Sequence, residues 1–286
     1  MKNSSKMGPK VFIVATPLGN LKDCSLRMKE VLASVDLIAC EDTRVTRKLL
    51  AALEIKGPPL ISYYDQVEER RAEELIRRVQ DDGISLAVLS DAGTPCIADP
   101  GYRLVKKARE RGIPVIPIPG PSALATLIST SGLASDRVLF VGFLPRKEKA
   151  LREEIQSWRN VRASIVAFET AKRLAATLEL MAEQLPSAFV CVGRELTKAF
   201  EEIHTLPVAQ ASQWAKDHKS LKGELSLMID PGKTDAKSDE SRLLEKAKFL
   251  RSKGLSNRDI MEFFGDRVED RKAFYKGLNL SAKRGV

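Results

Sequence analysis

A chain of 286 residues, 43% hydrophobic, 30% charged and 6% aromatic, has enough apolar material to offset its chain entropy, so wholesale disorder and a small disulfide scaffold are both excluded. On a prior of about 100–200 residues per domain the length predicts two domains and an appendage. The net charge of +9 leans towards polyanions, and 13 Lys and Arg against 8 Asp and Glu from Lys237 onward place +5 of it in the last 50 residues, as a solubilising tail or a nucleic-acid contact.

The opening MKNSSKMGPKVFIVATPLGNL sets Lys ahead of an apolar stretch of about five residues, short of a signal-peptide core of roughly 7–15, which predicts a cytoplasmic chain. Short apolar runs then alternate with amphipathic stretches, the pattern of an α/β layer architecture. Strand candidates are Val11–Ala15, Leu37–Cys40, Pro59–Ser62, Leu86–Leu89 and Val115–Ile118. Among the intervening helical patterns, Ala72, Leu75, Ile76 and Val79 make the clearest apolar stripe. The uncharged run from Gly112 to Ser135 has the length of a membrane span, but Pro114, Pro117, Pro119 and Pro121 exclude a straight bilayer helix. Pro117–Pro121 breaks regular structure before a helical Ser122–Ser131 and closes a first domain at 1–118.

A second α/β domain, 119–232, follows with strands at Val138–Val141, Ser164–Phe168, Ala188–Val192, a hairpin-like Ala199–Thr205, and Glu224–Ile229. Pro231–Asp239 is polar and breaker-rich, a linker, and 233–286 reads as that linker with a basic helical extension. Leu243, Ala247 and Leu250 line its first helix, Ser256 N-caps a second with Ile260 and Phe263, and Ala273 and Phe274 anchor a third. A helix-turn-helix module and a three-helix cap fit the spacing equally. Cys24, Cys40, Cys96 and Cys191 form no CxxC pair and sit in apolar runs, which predicts buried free thiols in a reducing compartment and no zinc site.

Three cofactor motifs fail. No G-x-G-x-x-G follows the first strand, Gly232-Lys233-Thr234 lacks the P-loop glycine five positions earlier, and two histidines, His204 and His218, build neither a metal cluster nor a triad. What remains are breaker-rich turns after strands, where open α/β sheets bind ligands: Thr16–Asn20, Ser90–Pro95 running into Ala98–Gly101, and Pro119–Ala123. Gly93 permits close backbone approach, and amides in such turns hold a carboxylate or phosphate. Between the second and third strands lies Glu41-Asp42-Thr43-Arg44, continuing to Arg47-Lys48. Capping explains Asp42 or Thr43, but Arg44 at the positive end of a helix suits a phosphate-bearing substrate better.

The runs VATPLGNL, EDTRVTRKLL, SDAGTPCIADPGYRLV, PIPGPSAL, GRELTKAFEEI and KGE, in order from about residue 10 to 232, resemble the ribosomal RNA small subunit methyltransferase I family of the tetrapyrrole-methylase superfamily. The resemblance implies two α/β/α domains with S-adenosylmethionine in the cleft between them, usually in a homodimer, and methyl transfer to the 2′-hydroxyl of a cytidine in the decoding region of 16S RNA. It also implies cofactor contacts from Pro17, Asp91, Ala92, Gly93, Ile97, Ala98, Ser122, Ala123, Phe143, Leu144, Lys222 and Gly223, with the EDTR and RELTK segments facing substrate. One segment departs: Phe168-Glu169-Thr170-Ala171-Lys172-Arg173 stands where relatives often carry aromatic-Glu-Ser/Ala-Pro-His-Arg, and it is left without a role.

A sulfonium donor is already activated, so the protein's task is alignment and exclusion of water, which neutral turns of Pro, Gly, Ala and Ser suit. A ribose hydroxyl needs help to lose its proton, and Glu41, Asp42, Glu195 and Lys198 are the candidates. The expected catalytic set is Asp42, Arg44, Glu195 and Lys198, with Glu41, Thr43, Arg47 and Lys48 on the RNA and no metal or membrane involved. A small-molecule methylase of the tetrapyrrole kind and a non-catalytic RNA-binding assembly factor are the alternatives.

Overall fold

The computed structural model describes residues 8–218, 221–232, 236–264, 268 and 270–280. The chain divides into two compact units between Asp230 and Pro231. The first unit holds two five-stranded sheets.

In the first sheet β1 (Lys10–Val14), β2 (Leu37–Cys40), β3 (Leu60–Ser62), β4 (Ser85–Leu89) and β5 (Val115–Ile118) lie in the order β3-β2-β4-β1-β5, and every pair is parallel. Helices α1 (Leu26–Ser34), α2 (Thr43–Ala52), α3 (Glu68–Asp81) and α4 (Tyr102–Glu110) make the crossovers. Strand alternation sends Val11, Ala39, Leu86 and Val88 to a core with α3 and α4, while Phe12, Val14, Ile38 and Leu89 join α1 and α2 on the other face. Both faces are covered, which is why LIAC and SLAVL are apolar throughout and every residue of β2 and β4 is buried. Ala72, Leu75, Ile76 and Val79 of α3 are fully buried.

The second sheet runs β6 (Val138–Phe143), β7 (Ser164–Thr170), β10 (Glu224–Asp230), β8 (Phe189–Arg194), β9 (Glu202–Pro207). It is mixed: β6 and β7 are parallel, whereas β10 is antiparallel to both β7 and β8, and β8 to β9. Helices α6 (Glu148–Ser157), α7 (Leu174–Gln184) and α8 (Val208–Asp217) bury one face around Trp158, Leu178 and Met181. The other face, with Val166, Cys191 and Met228, is closed by Leu127 of α5 (Ala123–Thr130) together with Leu18 from the first sheet's leading turn. The strand expected to begin at Ala199 starts instead at Glu202, because Glu195–Glu201 is folded into successive tight turns.

The second unit packs α9 (Ala236–Ser252), α10 (Asn257–Phe264) and α11 (Arg271–Leu280) around Ala247, Ile260, Phe264, Phe274 and Leu278. Residues 236–239, expected as linker, are helical, and 233–235 lie outside the described residues. Ser256 caps α10 with its hydroxyl oxygen accepting from the Asp259 amide (3.2 Å), and the Asp259 carboxylate accepts in return from the Ser256 amide (3.3 Å), a reciprocal capping box. Cys40 and Cys191 are buried and Cys24 partly so. Cys96 is exposed, contrary to expectation, because it sits on a turn rather than in an apolar element. No helix among the described residues is long and apolar enough to cross a membrane.

Candidate active site

The turns at the carboxyl edge of the first sheet are zipped together by backbone. Thr16 and Gly93 exchange both amide–carbonyl hydrogen bonds (2.8 and 3.1 Å), and Thr94 Oγ1 donates to the Pro121 carbonyl (3.0 Å). Gly93 has φ +84°, and a Cβ there would stand 3.2 Å from Leu18. Behind this edge the buried Glu68 carboxylate accepts from the Gly101 and Arg103 amides at the start of α4 and from the Tyr63 hydroxyl, all with Oε1 at 3.0–3.1 Å. It thereby occupies the amino terminus of α4, where negative charge is favoured, and anchors the loop that carries Ile97 and Asp99.

The second sheet brings the carboxyl ends of β6, β7 and β8 and, because β10 is antiparallel, the amino end of β10 to a facing edge. Between the two edges lies a cavity of about 320 Å³, within the usual range of about 300–1,000 Å³ for small-molecule sites. Of the expected cofactor residues, Asp91, Ala92, Gly93, Ile97, Ser122, Ala123, Phe143 and Gly223 line it, and so does Glu41. Pro17, Ala98, Leu144 and Lys222 are not on its wall: Leu144 is buried in the core of the second sheet, while Ala98 and Lys222 face solvent. Residues beyond the expected set also line it, namely Leu18, Thr94, Asp99, Leu124, Phe168, Glu169, Thr170, Leu196, Glu224, Leu225 and Ser226. Several of these fall inside the family-like runs of sequence. Leu225 and Ser226 carry no signal beyond their strand.

The EDTR segment stands at the rim. Asp42 N-caps α2 through the Arg44 amide (2.8 Å), and its carboxylate takes Arg44 Nε and Nη2 in a two-pronged grip (3.1 and 2.6 Å). The Arg44 side chain remains 82% exposed. Its hydrogen bonds hold the Asp42 carboxyl down at about 2. The Asp42 amide donates to Asp91 Oδ1 (3.0 Å), linking rim to cavity wall, and burial pushes the Asp91 carboxyl up. Thr43 opens α2, and Arg47 and Lys48 are exposed on its next turn.

RELTK stands at the opposite rim. Lys198 Nζ bridges Glu195 Oε1 (3.0 Å) and Glu224 Oε2 (3.2 Å), and its stem packs on Gly19, where any Cβ would collide with it. Burial works against both charges. The Glu224 amide and Lys198 outweigh it for Glu195, whose carboxyl is lowered, and the two glutamates outweigh it for Lys198, whose ammonium is raised. Gly223 has φ +105°, and a Cβ there would be 2.5 Å from Glu195, so the KGE glycine makes room for that carboxylate.

Two turns share an unusual backbone. Cys96 and Ala98 have φ of 70° and 61°, and Glu195 and Thr197 have 49° and 66°. Each pair flanks one apolar cavity residue, Ile97 on the first wall and Leu196 on the second. Left-handed non-glycine residues cost free energy and persist only where the surroundings over-determine them.

Among the described residues the lining holds five carboxylates, Glu41, Asp91, Asp99, Glu169 and Glu224, and no Lys or Arg. Ser122, the N-cap of α5, gives the helix's first amides no side-chain cap, and Ser122, Ala123 and Leu124 line the same cavity. Such a wall fits a cationic ligand with one anionic end and a flat apolar portion. Among the described residues no group of three His, Cys, Asp or Glu is placed to hold a metal ion.

Residues 10–212 match the family model described as Tetrapyrrole (Corrin/Porphyrin) Methylases. The chain is 42% identical over 239 residues to the ribosomal RNA small subunit methyltransferase I of Escherichia coli O157:H7, covering 82% of this chain and 83% of that one. It is 36% identical over 260 residues to the protein of that name from Rickettsia prowazekii, covering 91% of both. Among solved structures it is similar to diphthine synthase (TM-score 0.57, 15% identity, 76% of this chain and 88% of that one). It is also similar to uroporphyrin-III C-methyl transferase from Thermus thermophilus complexed with S-adenyl homocysteine (TM-score 0.53, 16% identity, 77% and 96%).

Proposed function

The chain belongs to the ribosomal RNA small subunit methyltransferase I family, within the tetrapyrrole methylases, and from that premise we propose how its two sheet edges divide the work of methylating RNA. It is an S-adenosylmethionine-dependent methyltransferase of 16S ribosomal RNA, acting on a ribose 2′-hydroxyl. The acceptor in this reading is a cytidine of the decoding region, and the protein acts in the cytoplasm as a homodimer.

S-adenosylmethionine supplies a methyl group already activated on a sulfonium. Asp91, Ala92, Gly93, Ile97, Ser122, Ala123, Phe143 and Gly223 would hold it, whereas Pro17, Ala98, Leu144 and Lys222 stand off the wall. The carboxylates of Glu41, Asp91, Asp99 and Glu224 would favour its positive charges, and the amino terminus of α5 would receive its carboxylate. Leu18, Ile97, Leu124 and Leu196 exclude water and fix orientation, where most of the rate advantage of an activated donor lies.

Asp42 and Arg44 act as one unit. Both oxygens of the Asp42 carboxylate are taken up by the Arg44 amide and guanidinium, so Asp42 serves to orient a guanidinium that remains exposed for a phosphate. Glu41, Thr43, Arg47 and Lys48 extend that contact. Glu195 and Lys198 handle the ribose hydroxyl, with Glu195, ionised and hydrogen-bonded to Lys198, receiving its proton. The observation that carries the reading is that a carboxylate-lined cavity, with no Lys or Arg among its described lining residues, has both signature segments on its rims. Incubating undermethylated small subunits with radiolabelled donor and mapping the product for resistance to alkaline cleavage tests it. A label on a base, or none on the RNA, would refute it.

A further inference from the structure

The Phe168–Arg173 segment has no part in the mechanism above, yet it contains a carboxylate whose side chain is only 1% exposed and which lines the cavity. Glu169 stands next to last in β7, and both of its carboxylate oxygens are engaged by the protein. Its Oε1 accepts from the Thr170 amide (2.7 Å) and hydroxyl (3.4 Å). Its Oε2 accepts from Thr177 Oγ1 on α7 (2.8 Å) and pairs with Arg173 Nη2 (3.2 Å). Both oxygens are held by protein groups, so this burial serves the fold's own geometry rather than a direct catalytic role.

Arg173 carries the connection onward. Its Nη1 donates to the Leu144 carbonyl (3.2 Å) and its Nη2 to the Pro145 carbonyl (2.5 Å), while the Leu144 amide donates to the Phe168 carbonyl (3.2 Å). The end of β6 is thus clasped to the end of β7 through one guanidinium. Directly before the clasped carbonyls stands Phe143, 62% exposed, whose ring meets Phe168 edge-on at 5.5 Å. Both rings line the cavity. An exposed aromatic at a strand end has many rotamers and a mobile backbone available to it, and the clasp removes the backbone part of that freedom.

We propose that Glu169 and Arg173 are a positioning pair that sets the aromatic wall of the donor cavity by holding the Leu144 and Pro145 carbonyls, so that donor affinity depends on two residues that never touch the donor. The ion pair serves the clasp because only a planar guanidinium offers parallel donors to two adjacent carbonyls while a third contact neutralises the buried carboxylate. Lysine has the charge without the fork.

This inference rests on the donor reading of the cavity, and the test keeps the two apart. Binding of S-adenosylhomocysteine to the full wild-type chain is measured first by calorimetry, and absence of binding overturns the donor reading and the inference with it. In Arg173→Lys, which keeps a cation beside Glu169, and in Glu169→Gln, amide hydrogen exchange over Phe143–Lys147 should quicken. The donor KM and the S-adenosylhomocysteine Kd should rise about tenfold, a scale reasonable for loss of a residue that supports a site without touching its ligand. At saturating donor kcat should stay within about threefold, and the KM for the ribosomal subunit should not move. Quickened exchange with unchanged donor affinity would overturn the proposal, leaving the clasp a structural latch. A fall in kcat and in subunit affinity with unchanged donor KM would also overturn it. If Glu169→Gln fails to fold, Arg173→Lys carries the test.

Discussion

The two sheets of the methylase unit face one cavity but build it differently. The parallel sheet contributes turns: Thr16 paired to Gly93, Thr94 to Pro121, and the amides at the start of α5, nearly all through backbone atoms. The mixed sheet contributes side chains, namely Phe143, Phe168, Glu169, Leu196 and Glu224. In a parallel sheet every strand ends at the same edge, so successive loops converge and their amides are available. In the mixed sheet β9 and β10 run the other way and deliver their amino ends to that edge, and strand residues themselves project into the site. Backbone construction demands conformationally permissive residues, and side-chain construction demands identities.

The strongest test of that contrast is Gly93→Val. At φ +84°, with Leu18 within 3.2 Å of the new Cβ, a branched side chain displaces the wall. Donor affinity should fall by at least about 100-fold, from the strain of a β-branched left-handed residue and the blocked backbone approach, while circular dichroism stays native. Unchanged calorimetric affinity would remove the parallel half from the donor site. On the other wall Lys198→Ala should lower kcat by about 10²–10⁴-fold, the span of general acid–base assistance, with donor affinity held. Single-turnover rates at saturating donor would show this, and a kcat near wild type would leave the Glu195–Lys198 pair as scaffold.

Arg44→Ala addresses the rim opposite RELTK, on the parallel half. Subunit affinity should drop about tenfold, the scale of one bidentate phosphate contact, with donor affinity unchanged. The reverse pattern would move Arg44 into the donor site. The same variant has a sign that can be checked. Asp42 is depressed from 3.8 to about 2 chiefly by Arg44, so its paired carboxylate is present above 3.8 and is lost as the pH falls through about 2. Without Arg44 its carbon-13 resonance should titrate closer to 3.8. A midpoint still near 2 would assign the depression to the N-cap instead.

The smallest effect concerns the three-helix unit outside both sheets. Ending the chain at Gly232 should leave donor binding intact and flatten the logarithmic salt dependence of subunit binding by roughly 0.7–0.9 for each phosphate that the shortened chain no longer neutralises. An unchanged slope with a lower melting temperature would make the unit structural, and its charge incidental.

The parallel half was the more legible. Runs such as LIAC and SLAVL, buried on both faces, leave no polar alternation to misread, and β2 spans the residues expected of it. In the mixed half β9 starts three residues late. The turn before it is held by backbone contacts and by Glu201 accepting from the Thr197 amide (2.5 Å), neither of which has a periodicity. The cavity residues that came from glycine-rich turns were visible as punctuation. Glu169 was not, because its partners are an amide, a hydroxyl on the next helix and an arginine whose other bonds go to carbonyls, groups that every residue possesses. Cys96, Ala98, Glu195 and Thr197 adopt a glycine-like backbone without being glycine, so composition gave no warning of them.

Those four residues bear on how such a protein can be hardened by laboratory evolution. A selection for heat resistance will favour glycine or asparagine at positions 96, 98, 195 and 197, since these relieve left-handed strain without touching the core. Each such gain loosens the seat of Ile97 or Leu196, the residue between a strained pair. Variants that survive boiling through these positions should therefore be slower methylases, and variants that keep their speed should have gained their resilience elsewhere in the fold.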